Sequence, residues 1–476
     1  MSTDALPVTT EALAELVAAL PEGVVVTEPA AMEKYREDFA RDGTAGTPLA
    51  VVRPEDAAQV QVAVRWAAQH LVPVVPRGAG TGLSGGSSAV DGGITVSLDR
   101  MRDVAIDAEC QVAVVEPGAL NADVKRAAAE HGLWYPPDPS SYEICSIGGN
   151  LATNAGGLCC VKYGVTTDYV LGLDVVLADG SLVRLGGKQI KDVAGLPLVK
   201  LFVGSEGTLG IITRAVLRLI PLQTPRATLV SGFPTMEAAA RAVVAIRGTV
   251  RASMLELMDN TTINAVEDWR SHGLDRSAGA LLVAQSDASG DAGADEVAAI
   301  AAACQAAGAE EVYTTTDADE AALFVSARRN ALHAIEQRGS VLFEDVGVPV
   351  PRLPDLVAEV GRIARRRGVE IALVAHAGDG NTHPVVVYDG ADPGAAARAR
   401  EAFSDIMAAA IALDGTITGE HGVGRAKRLA LPAQLGDDVL ALTWRIKDAL
   451  DPHGLLNPGA VLAPRDPDHP VSGGHR

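Results

Sequence analysis

The sequence holds only five cysteines, Cys110, Cys145, Cys159, Cys160 and Cys304, and no two are spaced Cys-x-x-Cys. An iron–sulfur cluster or a zinc ribbon held by this chain is therefore not expected, and the compartment reads as reducing. The adjacent Cys159-Cys160 reads either as a redox pair or as two small side chains in a tight turn. Basic residues are also short: 40 Lys and Arg against 60 Asp and Glu leave a net charge of -20. That argues against nucleic acid as a partner, and an acidic ligand has to be met by a local basic cluster. No stretch is long enough and free enough of charge to span a bilayer. The N-terminus lacks the basic and apolar segments of a signal peptide, so the expected location is the cytoplasm.

Glycine is what the chain has in abundance. With 49 glycines, 26 prolines and 48% hydrophobic residues in 476, it reads as a folded, loop-rich globular protein of two or three domains. Helices are expected over Thr10–Leu20, Pro54–His70 and Ala122–His131, and strands over Val72–Pro76, Gly93–Leu98 and Gln111–Val115. Residues 136–157 read as having little regular structure. Leu173–Ala178 and Leu182–Leu185 read as a hairpin. Past Pro221 the dense glycine loops give way to longer helical and strand patterns, including helices over Asp317–Arg338 and Asp437–Leu450. The fold class is α+β.

Gly80, Gly82 and Gly85 fit the dinucleotide pattern G-x-G-x-x-G, but Gly86 leads into another strand where that fingerprint needs a helix. An NAD-dependent enzyme is disfavoured. A bare loop here would have to hold a phosphate with successive backbone N–H groups, which requires glycine for close approach. Three more glycine-rich segments, residues 146–157, 162–164 and 204–212, point to a large cofactor enclosed by backbone.

His376-Ala-Gly-Asp-Gly-Asn-Thr-His383 lies between two apolar runs, Ile371–Ala375 and Pro384–Tyr388, with strong turn residues in the middle. The expected hairpin brings both histidines close enough to share a ligand. Gly419-Glu420-His421-Gly422 adds an imidazole and a carboxylate. Two histidines and a carboxylate make an open divalent-metal site suited to zinc, iron or manganese. His376 alone reads as structural; the company of His383, Glu420 and His421 reverses that. His70, His131 and His333 lack such company and read as helix-end or surface residues. Arg425 and Lys427 either support the site or face solvent.

Residues 76–86, 148–157 and 204–212 resemble the FAD-binding domain of the vanillyl-alcohol-oxidase type. Residues 376–384, 415–425 and 451–459 resemble the cap domain that follows it, in the branch of FAD-dependent 2-hydroxyacid dehydrogenases acting on glycolate and D-lactate. The resemblance implies a two-lobed FAD domain over 49–220, preceded by a helical segment over 1–48. An α+β cap or substrate domain over 221–463 and a disordered tail over 464–476 would follow. Non-covalent FAD would lie against Pro76, Arg77, Gly78, Ala79, Gly80, Thr81, Gly82, Leu83 and Ser84, since no histidine occurs between His70 and His131 to tether it. Pro137, Asp138, Ser140, Gly149, Asn150, Ala152, Thr153, Asn154, Gly156, Tyr163 and Gly164 would follow the flavin. Gly207 and Ile212 would hold its adenine side, and Asn457 would close the ring side.

For the chemistry, the resemblance implies a metal on His376, His383 and Glu420, with His421 as base. Arg328 would grip the substrate carboxylate, with Arg329 one residue away as the alternative. A metal on the hydroxyl lowers its pKa, an imidazole takes the proton and a guanidinium binds the carboxylate by two hydrogen bonds. The expected reaction is oxidation of a short D-2-hydroxy acid, glycolate or D-lactate, to the 2-oxo acid by a dehydrogenase. Relatives that act on 2-hydroxyglutarate carry a lysine near Phe343-Glu344-Asp345 and an asparagine where this chain has Val385, and both departures disfavour a dicarboxylate. Gly195-Leu-Pro-Leu198 also departs from the usual aromatic–aspartate pair. The alternatives are an FAD-carrying subunit that needs an iron–sulfur or other electron-transfer partner, a 2-hydroxyglutarate-type enzyme, and a flavin-free metallohydrolase. A partner would allow peripheral attachment at the inner membrane, and the reading leaves room for a homodimer.

Overall fold

The computed structural model describes residues 9–41, 43–223 and 227–464. All of the expected tail except Pro464 lies outside them. Among the described residues no helix is long and apolar enough to cross a membrane.

The N-terminal half is built on two sheets. One has four strands in the order Val25–Val26, Ala50–Val52, Ile94–Ser97, Val74–Arg77, the last three parallel. Parallel strands need a crossover; helix Ala57–His70 supplies it between Ala50–Val52 and Val74–Arg77, which flank Ile94–Ser97 in the sheet. That helix starts later than expected, because Asp56 caps it by accepting from Gln59 N at 2.8 Å and leaves Pro54 outside. The second sheet is antiparallel, in the order Val104–Asp107, Val112–Val115, Ile211–Arg218, Val170–Val176, Leu182–Gly186.

The expectation of little regular structure over 136–157 is corrected. Ile147–Thr153 is a helix capped by Ser146, whose Oγ accepts from Gly149 N. Its two glycines lower helix propensity, yet tertiary packing requires the first of them, Gly148. A Cβ on Gly148 would come within 2.7 Å of Pro117 Cβ.

The C-terminal half carries an antiparallel sheet in the order Glu311–Thr315, Ala227–Phe233, Ala280–Ser286, Met254–Asp259, Glu370–His376, Asn381–Tyr388, Ser340–Phe343, with Val346–Gly347 also on Asn381–Tyr388. Helices Met236–Arg247, Leu353–Arg367 and Pro393–Ala412 share a large apolar core with one face. Asn260–Trp269 and Ala331–Glu336 pack on the other. The single helix expected over Asp317–Arg338 is two, Ala318–Arg329 and Ala331–Glu336, broken at Asn330. The last helix runs Leu431–Leu450 with a kink at Gly436, where φ is 74°.

Candidate functional site

The histidine hairpin forms with longer strands than its apolar runs indicate. Glu370–His376 pairs with Asn381–Tyr388, so His376 faces Asn381 and His383 faces Val374 across the ladder. The two histidines are diagonal neighbours on one face, with ring centroids 5.0 Å apart. A carboxylate from a separate loop meets them: Glu420 Oε1 lies 3.0 Å from His376 Nε2 and 3.2 Å from His383 Nε2. His421 stacks on His383 at 4.8 Å with an interplanar angle of 9°.

Two buried carboxylates that sequence reading missed hold this group in place. Glu256 lies opposite His376 in the neighbouring strand, and both its oxygens are 2.9 Å from His376 Nδ1. The Arg328 guanidinium ion-pairs with the same carboxylate, Nε to Oε2 at 2.8 Å. Asp345 Oδ2 accepts from Thr418 Oγ1 at 2.6 Å and from the N–H groups of Gly419, Glu420 and His421 at 2.9, 3.1 and 2.9 Å. The only available signal for Glu256 was a lone acid inside an apolar run, Met254-Leu-Glu-Leu-Met258; Asp345, next to Glu344 and outside any strand, offered none. Lys427 and Arg425 both prove buried: Lys427 pairs with Glu344 at 2.9 Å, and Arg425 donates to Ser88 O at 2.6 Å.

The electrostatics follow from these contacts. Burial opposes charge on His376, but Glu256 and Glu420 outweigh it and raise its pKa well above the usual value. Burial likewise opposes ionisation of Glu420, and His376 outweighs it to hold the carboxyl well below its ordinary range. For His421 burial dominates and lowers the pKa to about 4, so the ring is neutral at pH 7. Asp345 stays ionised below the usual carboxylate range despite burial, because His421, Lys427 and His383 lie around it.

Glu420, His383 and His421 line a cavity of about 480 Å³. Residues 76–84 line it, with Ser140, Gly149, Asn150, Ala152, Thr153, Gly207, Ile212, Arg328 and Arg329. His333, which reads as an ordinary helix residue, lines it too. The N–H groups of Thr81, Gly82 and Leu83 donate to no other described residue, which leaves them to an anion. A Cβ on Gly78 would stand 2.4 Å from Ser146 Oγ, so the loop sits against helix Ile147–Thr153 only as glycine. These observations fit a flavin dinucleotide.

Other expected cofactor residues stand behind this wall. The Arg77 guanidinium is turned away and donates to Glu37 O at 2.8 Å and Ser87 O at 3.2 Å, bracing the loop. Asn457 Nδ2 donates to Gly86 O and Glu206 O, both at 2.7 Å. Asp138 pairs with Arg329 at 2.6 Å, and Pro137 O accepts from Asn121. Asn154 caps the helix and accepts from Thr167 N; Tyr163 bonds Gln223 and Asp287; Gly164 sits at φ +82° beside Asp168. Gly156 and His376 line a second cavity. Cys159 Sγ donates to Asp138 at 2.9 Å, and burial raises the Cys160 thiol well above its usual range.

Residues 48–186 match the family described as FAD binding domain, and residues 222–461 match FAD linked oxidases, C-terminal domain. The chain is 40% identical to glycolate oxidase subunit GlcD of Bacillus subtilis over 87% of this chain and 89% of that one. The chain belongs to the FAD-linked oxidases. It is also 34% identical to D-lactate dehydrogenase of Archaeoglobus fulgidus, over 87% of this chain and 91% of that one. D-2-hydroxyglutarate dehydrogenase of Xanthomonas citri is 35% identical over 94% and 96%. Among solved structures, p-cresol methylhydroxylase superposes with a TM-score of 0.80 at 18% identity, covering 95% of this chain and 96% of that one. A 4-ethylphenol oxidase from Gulosibacter chungangensis gives 0.76 at 20%, covering 96% and 98%. The fold is therefore that of the vanillyl-alcohol-oxidase-type flavoproteins, α+β as expected, and this FAD-linked oxidase is an oxidoreductase.

Proposed function

We propose that this FAD-linked oxidase is a dehydrogenase that oxidises a short D-2-hydroxy acid, glycolate or D-lactate, to the 2-oxo acid. The observation that carries the reading is the convergence of His376 and His383 on Glu420 Oε1, with His421 alongside, where His383, Glu420 and His421 line a glycine-walled cavity. The donor set fits a divalent cation. Three ligand atoms lie within 4.8 Å of one another, and Glu256 and Asp345 stand behind the two histidines. When bound, FAD supplies the acceptor for the electron pair and the cation supplies Lewis acidity toward the substrate hydroxyl.

The chain's own residues do the rest. Arg328 Nη2 is buried at the cavity wall without a hydrogen-bond partner, which suits it to a substrate carboxylate. His421 Nδ1 is likewise unpartnered, and the neutral ring is able to take the hydroxyl proton. Asp345 fixes the backbone that carries both Glu420 and His421. Phe343 and Val385 are cross-strand partners on the His383 face, and an apolar pair there favours a small acid over a dicarboxylate. The similarity to chains named as glycolate oxidase subunits favours a partner protein that carries the electrons onward, since this chain lacks cluster cysteines.

A substrate panel tests the reading. Anaerobic holoenzyme is expected to bleach with glycolate or D-lactate and far more slowly with D-2-hydroxyglutarate. Fast bleaching by the dicarboxylate would overturn the substrate class, and no bleaching by any of the three would overturn the reaction.

A further inference from the structure

Helix Ala318–Arg329 ends in two adjacent arginines that make their contacts in different halves of the molecule. Consecutive helical side chains diverge by about 100°, which allows this. Arg328 pairs with Glu256 in the C-terminal sheet. Arg329 crosses to the N-terminal half, where Nη2 donates to Asp138 Oδ2 at 2.6 Å and Nη1 to Asp138 O at 3.4 Å. Its guanidinium carbon also stands 5.0 Å from the centre of the Tyr142 ring. These contacts occupy Arg329, whereas Arg328 Nη2 has no hydrogen-bond partner. Arg328 is therefore the arginine left for a carboxylate.

The N-terminal end of this bridge is held firmly. The other carboxylate oxygen of Asp138, Oδ1, accepts from Cys159 N at 3.1 Å and from Cys159 Sγ at 2.9 Å. Gly157 packs against the same residue so closely that a Cβ would stand 2.4 Å from Asp138 O. Burial opposes charge on Asp138, but Arg329 and Lys125 outweigh it and hold the carboxyl below its usual range. The bridge joins two segments that both line the glycine-walled cavity, residues 139–141 beside Asp138 and residues 328–330 at the helix end.

We propose that Cys159, Asp138 and Arg329 form a latch between the two halves that fixes where Arg328 presents its guanidinium to the substrate carboxylate. The inference rests on the reading of Arg328 as the carboxylate-binding arginine. Arg329, Asp138 and Cys159 are positioning residues, and none of them touches the substrate. Glu256 fixes the Arg328 guanidinium relative to His376, on the C-terminal sheet. Arg329 fixes the same helix end relative to the half whose glycine loops enclose the flavin. A carboxylate has to be met from both references at once, and a misplacement of about 1 Å costs up to roughly 100-fold. The latch also gives Cys159 a role as a hydrogen-bond donor and not as half of a redox pair.

The test is anaerobic stopped-flow bleaching of the holoenzyme by glycolate and D-lactate over a range of concentrations, which separates the Kd of the acid from the limiting rate. R329Q alone leaves the Asp138 charge without its partner, so D138N/R329Q, with two amides in place of the ion pair, is measured beside it. In both, Kd is expected to rise roughly tenfold, with limiting rate and flavin content within about twofold of wild type. R329K is expected to recover most of the loss. C159A is expected to raise Kd by a smaller factor, and C159S, which keeps a donor, to leave it unchanged. A pair that serves stability alone would lower the denaturation midpoint of D138N/R329Q and leave Kd at the wild-type value. That result would overturn the latch and leave Arg328 standing as the substrate arginine. Wild type bleached by neither acid, or R328Q with the wild-type Kd, would overturn the reading of Arg328 and the latch with it.

Discussion

Arg328 and His376 share one carboxylate: Glu256 Oε2 is 2.8 Å from Arg328 Nε and 2.9 Å from His376 Nδ1. In the proposed function one of these residues holds the substrate and the other holds the metal. Glu256, 1% exposed, therefore sets the distance between the two. Glu256→Gln removes the charge that orients both partners. Metal affinity is expected to fall roughly 10- to 100-fold, as for carboxylates that support metal-bound histidines. The KM for the acid should rise in parallel. Metal titration of the variant checks this, and unchanged affinity would show that Glu256 only fills space.

Asp345 does for the Glu420–His421 loop what Glu256 does for the strand. Four donors converge on its Oδ2. Asp345→Ala leaves three backbone N–H groups without their acceptor, at about 1–3 kcal/mol for each buried donor left unsatisfied. A lower denaturation midpoint is expected together with loss of turnover. A variant as stable as wild type would contradict the arrangement.

Glu206 links the two halves of the chain, accepting from Val423 N at 2.8 Å and Gly424 N at 2.9 Å. Burial pushes its carboxyl up to about 7. A raised carboxyl pKa means the folded state holds the proton more tightly than the unfolded state. Its contribution to stability is therefore greatest below the unfolded value and declines as pH rises toward 7, by roughly 3 kcal/mol in all. Glu206→Gln is expected to flatten that part of the stability–pH profile. Parallel urea melts of both proteins at pH 5 and pH 8 measure it, and identical slopes would sink the assignment.

Gly78 has no room for a methyl group, with Ser146 Oγ 2.4 Å and Gly149 N 3.2 Å from a built Cβ. Gly78→Ala has to shift the 76–84 loop off the Ile147–Thr153 helix. Purified G78A is expected to carry substantially less FAD per chain than wild type, by absorbance ratio. Full flavin content would mean the loop does not hold the cofactor.

Local patterns made much of this legible in the sequence. Continuous apolar runs on either side of Gly378-Asp379-Gly380 announced the hairpin, and the strand after Gly86 counted against a dinucleotide helix. What stayed hidden was set by long-range packing. The helix Ile147–Thr153 contains a glycine pair that propensity counts against, and only the closeness of Pro117 and Gly78 explains it. Glu256 is 120 positions from His376, and nothing local brings those strands into register. Lys427 and Arg425 were ambiguous because the groups that bury and pair them, Glu344 and the Ser88 carbonyl, come from distant segments. His333 reads as a helix residue and becomes part of the cavity wall only through the break at Asn330.

The central claim is that a cation on His376, His383 and Glu420 activates a short 2-hydroxy acid beside the flavin. It is tested most directly by the anaerobic rate of flavin bleaching with glycolate and D-lactate, in holoenzyme before and after metal removal and in His383→Ala. The account predicts rapid bleaching by at least one acid in wild type, loss of two or more orders of magnitude (about 3 kcal/mol or more) on metal removal and in the variant, and recovery of wild type when metal is restored. Bleaching at the wild-type rate in metal-free protein and in the variant would contradict it.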